Sequence, residues 1–177
     1  MPRRFLFVGR YVPEKNLALL VEAYRLYRDQ VGDPWPLDCV GMGPEGHLLA
    51  NQPGITDCGF CDPDALPSVY GNHGVFVLPS QHEPWGVVLA EAAGAGLPIL
   101  CTDACGAYHE LIHGNGIVCP SGNAHALAEA MTRMSQTSQE DFATMIRKGV
   151  DLAGPYSCEA WADRVVDLSR RLLSKAD

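Results

Sequence analysis

Residues 74–101 read GVFVLPSQHEPWGVVLAEAAGAGLPILC, and the order of segments within them decides the fold. Val75-Phe76-Val77-Leu78 is apolar at every position, as a strand buried on both faces of a parallel sheet must be. A proline-flanked polar loop follows, from Pro79 to Trp85, and the stretch from about Gly86 to Ala95 predicts a helix. Leu97 to Cys101 is again a short apolar run. Strand, helix and strand in this order form a βαβ unit, because parallel neighbours need a crossover connection, usually helical.

The same alternation extends in both directions. Toward the N-terminus, Arg4 to Gly9 reads as a strand, Asn16 to Tyr27 as a helix with Leu17, Leu20, Val21 and Tyr24 at helical spacing, and Leu37 to Gly41 as a strand. Pro44 to Asn51 predicts a helix with proline at its first position, and Ile55 to Phe60 a weaker strand. Asp62-Pro63 predicts a helix start, with Asp62 as cap, leading to Leu66, Val69 and Tyr70. Beyond residue 101, a short helix is expected near Tyr108 to Ile112, a strand at Gly116 to Cys119, and a helix from Ala124 to Met134 capped by Asn123. Thr137 and Glu140 have capping-box spacing for a helix that reaches Leu152, and Gly154-Pro155 breaks it. A last helix, over residues 156–174, places Trp161, Val165, Leu168 and Leu172 on one stripe. The expectation is an α/β fold: a Rossmann-like parallel sheet of about six strands with helices on both faces. No internal repeat or low-complexity linker divides the chain, so residues 1–177 are read as one domain.

Composition excludes several classes. At 47% hydrophobic and 19% charged, the 177-residue chain can bury enough surface to offset the entropy of ordering it, which argues against disorder. A formal net charge of −8 argues against a general nucleic-acid binder, whose phosphate contacts need clustered Lys and Arg. No apolar run approaches the roughly 18 residues of a membrane span, and the apolar stretch after Met1 ends at Gly9-Arg10, as a first strand rather than a leader would. Seven cysteines, an odd number, do not resemble a disulfide framework, and a reducing, cytoplasmic setting is expected. Cys58-Gly-Phe-Cys61 with Cys101 and Cys105 could supply zinc ligands. Cys101 nevertheless ends an apolar run, where cysteine serves as a small buried hydrophobe.

In open α/β sheets ligands sit beyond the carboxyl ends of the strands. Four segments there have suitable chemistry: residues 9–15, 41–44, 79–86 and 102–106. Arg10 and Lys15 bring a guanidinium fork and a point charge to one sheet edge, a combination that suits a diphosphate; a solvated surface pair is the plainer alternative. Gly41 and Gly43 allow close backbone approach, or simply mark a tight turn. The helix that opens at Gly86 offers free N–H groups and a positive dipole end to an anion. Glu83 beside such a site makes sense if it accepts hydrogen bonds from neutral hydroxyls, and Glu91, in the second turn, could hold those of a ribose. Either acid could instead be structural, Glu83 as a favourable charge near the helix dipole and Glu91 as a surface residue.

Together these residues resemble a known family. Gly9-Arg10-x4-Lys15, Gly41-x-Gly43-Pro44 and Pro79-Ser80-x2-Glu83-Pro84-x-Gly86-x4-Glu91-Ala92 look like the donor-binding half of the retaining glycosyltransferases of family 4, which have the GT-B fold. Glu83 and Glu91 match that family's Glu-x7-Glu signature. Gly96-x-Pro98, Thr102-Asp103-x2-Gly106-x3-Glu110, Gly114-x-Gly116 and the Ala-Leu-Ala-Glu-Ala run at 126–130 extend the resemblance over essentially the whole chain. The chain departs from the pattern at Ala104-Cys105-Gly106-Ala107, where the family often has consecutive glycines.

The resemblance implies specific roles. Arg10 and Lys15 would bind the donor diphosphate and stabilise it as it leaves, and Glu83 would hold the transferred sugar's hydroxyls, assisted by the backbone around Trp85, Gly86 and Val87. Glu91 would bind the ribose, Gly9, Gly41 and Gly43 would approach the donor closely, and the loop at Gly59-Phe60 would lie near the base. His82 is expected to shape the pocket rather than act as a base. No cofactor and no metal is expected, nor any Asp-x-Asp metal site. The expected partners are a nucleotide-sugar donor, an unidentified acceptor and an N-terminal GT-B domain that would precede residue 1, with no nucleic acid. The expected location is the cytoplasm, with any attachment at the membrane periphery made through that other domain. Two further readings stay open: a non-catalytic nucleotide-sugar-binding module or subunit, and a dinucleotide-binding oxidoreductase domain, which the lack of Gly-x-Gly-x-x-Gly after the first strand disfavours.

Overall fold

A computed structural model describes residues 1–173. Six parallel strands form one sheet: β1 (Phe5–Val8), β2 (Leu37–Val40), β3 (Ile55–Asp57), β4 (Val75–Leu78), β5 (Ile99–Thr102) and β6 (Gly116–Cys119), in the spatial order β3-β2-β1-β4-β5-β6. The register pairs Leu6 of β1 with Asp38 on one side and Phe76 on the other. Phe5, Leu6, Phe7 and all of β4 are inaccessible to solvent, which accounts for their uninterrupted apolar sequence.

The α-helices of the described residues are α1 (Leu17–Gln30), α2 (Leu66–Gly71), α3 (Val87–Gly94), α4 (Tyr108–Leu111), α5 (Ala124–Ser135), α6 (Gln139–Ala153) and α7 (Cys158–Leu173). The β1-to-β2 connection runs through α1 toward one edge of the sheet, and the β4-to-β5 connection runs through α3 toward the other. Right-handed crossovers in opposite directions put α1 and α3 on opposite faces. In agreement, α1 packs on α5, while α3 packs on α6 and α4. The reversal of direction falls between β1 and β4, and it opens a crevice between their carboxyl ends.

The sequence-based boundaries change in five places. Pro44–Leu49 is a 3-10 segment rather than an α-helix, with Gly43 at its N-cap. β3 stops at Asp57 because it is an edge strand, paired only with β2, and Gly59 turns the chain with φ of 68°. Asp62 does not cap with its side chain: residues 63–65 wind as a 3-10 turn, and Ala65 N donates to the Asp62 carbonyl at 3.0 Å. Ser138, not Thr137, caps α6, accepting from Asp141 N at 3.1 Å, because the Thr137 hydroxyl donates back to the Arg133 carbonyl of α5 at 2.9 Å. The last helix begins at Cys158, after a 3-10 turn at Gly154–Tyr156. Trp161, Val165 and Leu168 of its stripe are exposed, whereas residue 174 and the side chain of Leu172 lie outside the described residues. No helix among the described residues is long and apolar enough to cross a membrane.

Candidate functional site

At the crevice between β1 and β4 lies a cavity of about 540 Å³, lined in part by Gly9, Arg10, Lys15, Glu83, Trp85 and Glu91. Gly86 and Val87 also line it. The loop after β1 supplies the cations, and the loop after β4 supplies Glu83. Arg10 is solvent-exposed, whereas Lys15 is drawn inward onto Glu83, their side chains only 16% and 13% exposed. The Lys15 ammonium donates to Glu83 Oε2 and keeps two further N–H donors.

Glu83 is placed by its backbone. Glu83 N donates to the Ala104 carbonyl at 3.1 Å, and Gly106 N returns a bond to the Glu83 carbonyl at 2.9 Å, so the loop is zipped to the segment after β5. Gly106 is required here: a Cβ would lie 2.1 Å from the Pro84 carbonyl oxygen. On the other side, Gln81 N donates to the Glu14 carbonyl at 2.9 Å, and Gln81 Nε2 donates to the Pro13 carbonyl at 2.9 Å. Lys15 and Glu83, 68 residues apart, meet because both loops are held in this way. His82 is exposed outside the cavity lining.

Helix α3 points its N-terminus into the same crevice. Gly86 is its N-cap, and the first-turn amides of Val87 and Val88 have no intrahelical acceptor. Val87 is exposed beside them. The Trp85 ring sits 5.5 Å from that of Tyr156. Glu91 is also exposed, and its Oε2 accepts from the Tyr70 hydroxyl at 2.9 Å. Burial, reinforced by the Glu91 charge, pushes the Tyr70 phenol far above its ordinary pKa, so it remains a donor. Sequence reasoning assigned Tyr70 only to an apolar helix face, since nothing local couples it to a residue 21 positions away.

Gly41, Gly43 and Phe60 do not line this cavity. They sit along the same sheet edge, where Gly41 N donates to the Gly59 carbonyl at 2.8 Å and Phe60 is 61% exposed. Gly41 and Gly43, with φ of 154° and 153°, pass so close to residues 9–11 that a Cβ would meet the Gly9 and Tyr11 carbonyls at 1.9 and 2.4 Å. Their close approach is to protein backbone.

The seven thiols are all free. No cluster of three or more His, Cys, Asp or Glu among the described residues could hold a metal ion, so Cys58, Cys61, Cys101 and Cys105 do not converge on a zinc site. The chain does carry one Asp-x-Asp spacing, contrary to expectation: Asp62-Pro63-Asp64. Both carboxylates are exposed beside the turn before α2, away from the cavity. Gly41-x-Gly43-x-x-Gly46 likewise has dinucleotide-type spacing, but it follows β2 and leads into a 3-10 segment.

Residues 1–149 match the family described as Glycosyl transferases group 1. The O-antigen chain mannosyltransferase B of Escherichia coli is 25% identical over 176 residues, covering 94% of this chain and 45% of that protein. The 2-deoxystreptamine N-acetyl-D-glucosaminyltransferase of Niallia circulans is 34% identical over 135 residues, covering 70% of this chain and 34% of that protein. Among solved structures, the pneumococcal O-GlcNAc transferase GtfA in complex with UDP and GlcNAc superposes with a TM-score of 0.81 at 22% identity, over 97% of this chain and 36% of that one. The chain therefore spans between a third and a half of the length of these relatives.

Proposed function

Because the chain belongs to the glycosyl transferases group 1 family, we propose that it is the domain that binds a nucleoside-diphosphate sugar for retaining transfer of the glycosyl group to an acceptor hydroxyl. The observation that carries this reading is the cavity between β1 and β4, where two cations, a helix N-terminus and two carboxylates converge. That combination suits a molecule that is anionic at its centre and hydroxylated on both sides.

In this reading Arg10, Lys15 and the first amides of α3 hold the diphosphate. As the bond between the anomeric carbon and the phosphate oxygen breaks, negative charge grows on the departing oxygen, and the same groups stabilise it. They supply the positive charge that a divalent metal would otherwise bring, so no metal or other cofactor is needed. Lys15 bridges donor and protein, one N–H on Glu83 and the others toward phosphate. Glu83 directs its remaining acceptor capacity to the sugar hydroxyls, while Glu91 takes those of the ribose. The exposed residues Met42 and Phe60 border the base. A departing phosphate oxygen accepts the proton of the incoming hydroxyl, which leaves His82 without a catalytic part.

The acceptor belongs to an N-terminal GT-B domain, and the exposed apolar stripe of α7, with Trp161, Val165 and Leu168, faces that half. Turnover requires both halves. The free thiols suit a reducing compartment, and we place the reaction in the cytoplasm. The test is calorimetric titration of the chain with UDP and GDP. One of the two binds, and Arg10→Ala or Lys15→Ala weakens it by about tenfold to a hundredfold, as expected for loss of a charge-assisted contact. Affinity unchanged in both variants, and in Glu91→Ala, rejects the assignment.

A further inference from the structure

We infer that Tyr70 is a positioning residue for Glu91: its phenol occupies one carboxylate oxygen and thereby turns the other toward the hydroxyls of the donor ribose. This rests on the ribose-binding role given to Glu91 above.

The two residues differ in constraint. Glu91 is exposed on α3, and a glutamate side chain there has three rotatable bonds and no inherent reason to hold one direction. Tyr70 is only 4% exposed. It sits near the end of α2, where its carbonyl accepts from His73 N at 3.1 Å, and its ring meets the edge of Phe76 of β4 at 6.3 Å. The hydroxyl, 2.9 Å from Glu91 Oε2, is therefore a donor fixed to the sheet. Among the described residues no cation pairs with Glu91. A neutral donor orients the carboxylate without cancelling its charge, so its free oxygen keeps full acceptor strength for a sugar hydroxyl. Burial and the neighbouring carboxylate both hold the proton on Tyr70.

A simple tether between α2 and α3 would involve the same bond but would not discriminate between ligands. The test compares UDP and GDP with their 2′,3′-dideoxy counterparts by calorimetry on the chain. The wild type prefers the ribose form, and Glu91→Ala abolishes the preference. Tyr70→Phe reduces the preference by about fivefold to tenfold, leaves affinity for the dideoxy form unchanged, and has no further effect in the Glu91→Ala background. Should Tyr70→Phe lose its cooperative unfolding transition, two unnatural replacements carry the comparison. 4-Aminophenylalanine, which retains a donor, keeps the preference, and 4-methylphenylalanine, which fills the space without one, loses it. An intact preference in Tyr70→Phe, or equal weakening toward both ligands, overturns the inference and leaves the function proposed for the site standing. A preference that survives Glu91→Ala, or no binding of either nucleotide, removes the ribose role of Glu91 and this inference with it.

Discussion

Replacing Gly106 by alanine tests how the site is held together. The added Cβ would lie 2.1 Å from the Pro84 carbonyl oxygen, where ordinary contact begins at 3.4 Å, so one of the two segments must retreat by about 1.3 Å. That retreat breaks or stretches the Gly106 N–Glu83 O bond at 2.9 Å and the Ala107 N–Trp85 O bond at 2.8 Å. Two backbone hydrogen bonds at roughly 1 kcal/mol each, with about 1–3 kcal/mol for overpacking, give a loss of about 3–5 kcal/mol. For a chain of this size the melting temperature should fall by roughly 10 °C. Because Glu83 moves with the loop and Lys15 is paired to it, nucleoside-diphosphate affinity falls as well. Thermal unfolding by circular dichroism and calorimetric titration read the two effects. Gly32→Ala, where a Cβ meets nothing within 4 Å, is the control and should stay within about 0.5 kcal/mol of the wild type. A melting temperature and affinity in Gly106→Ala equal to those of the control would refute the idea that this contact positions Glu83.

Lys15→Met strands a largely buried Glu83 carboxylate and should cost about 3 kcal/mol in urea unfolding, most of which Lys15→Met/Glu83→Gln regains; equal stability in the two variants would show that the pair carries no such strain. Burial pushes the Tyr24 phenol up to about 12 from 10.0, so the stability it contributes is complete below pH 10 and is lost as pH rises from there toward 12. Tyr24→Phe should therefore flatten the alkaline fall of stability measured by urea titration at several pH values. It also gives up the bonds to the Trp35 and Gly54 carbonyls, so its stability at neutral pH should be lower.

The central strands were the most legible part of the fold. β4 is buried on both faces and apolar at every position, and β1, β2 and β5 are buried almost throughout, so their sequences are apolar except at Thr102 and at Asp38, which pairs with Arg4 and His73. β3 is shorter than Ile55–Phe60 because an edge strand is specified by one neighbour only: its pairing with β2 ends at Asp57, and Gly59 then turns the chain. Helix starts were legible where an amide lies within reach of a local side chain, as at Asn123, whose Oδ1 accepts from Ala126 N at 3.0 Å. Thr137 was misread because its hydroxyl was already engaged by the preceding helix, a contact that spacing alone does not reveal.

For the site, spacing along the chain decides which residues fall at the carboxyl ends of strands, which nominates Arg10, Lys15 and Glu83, and it puts Glu91 in the second turn of the helix that follows β4. This follows from the parallel sheet itself: every post-strand loop emerges on one edge, so residue type and order suffice to nominate the ligand-facing side. What only the tertiary structure decided is which of those loops touch. Gly41, Gly43 and Phe60 lie on the correct edge but beside the cavity, because the crevice opens where the strand order reverses, between β1 and β4. The Lys15–Glu83 pair, the Gly106–Pro84 contact and the Tyr70–Glu91 bond join residues from separate loops and helices. Such contacts depend on how neighbouring βα units pack side by side, and the local pattern of any one unit carries no record of its neighbour.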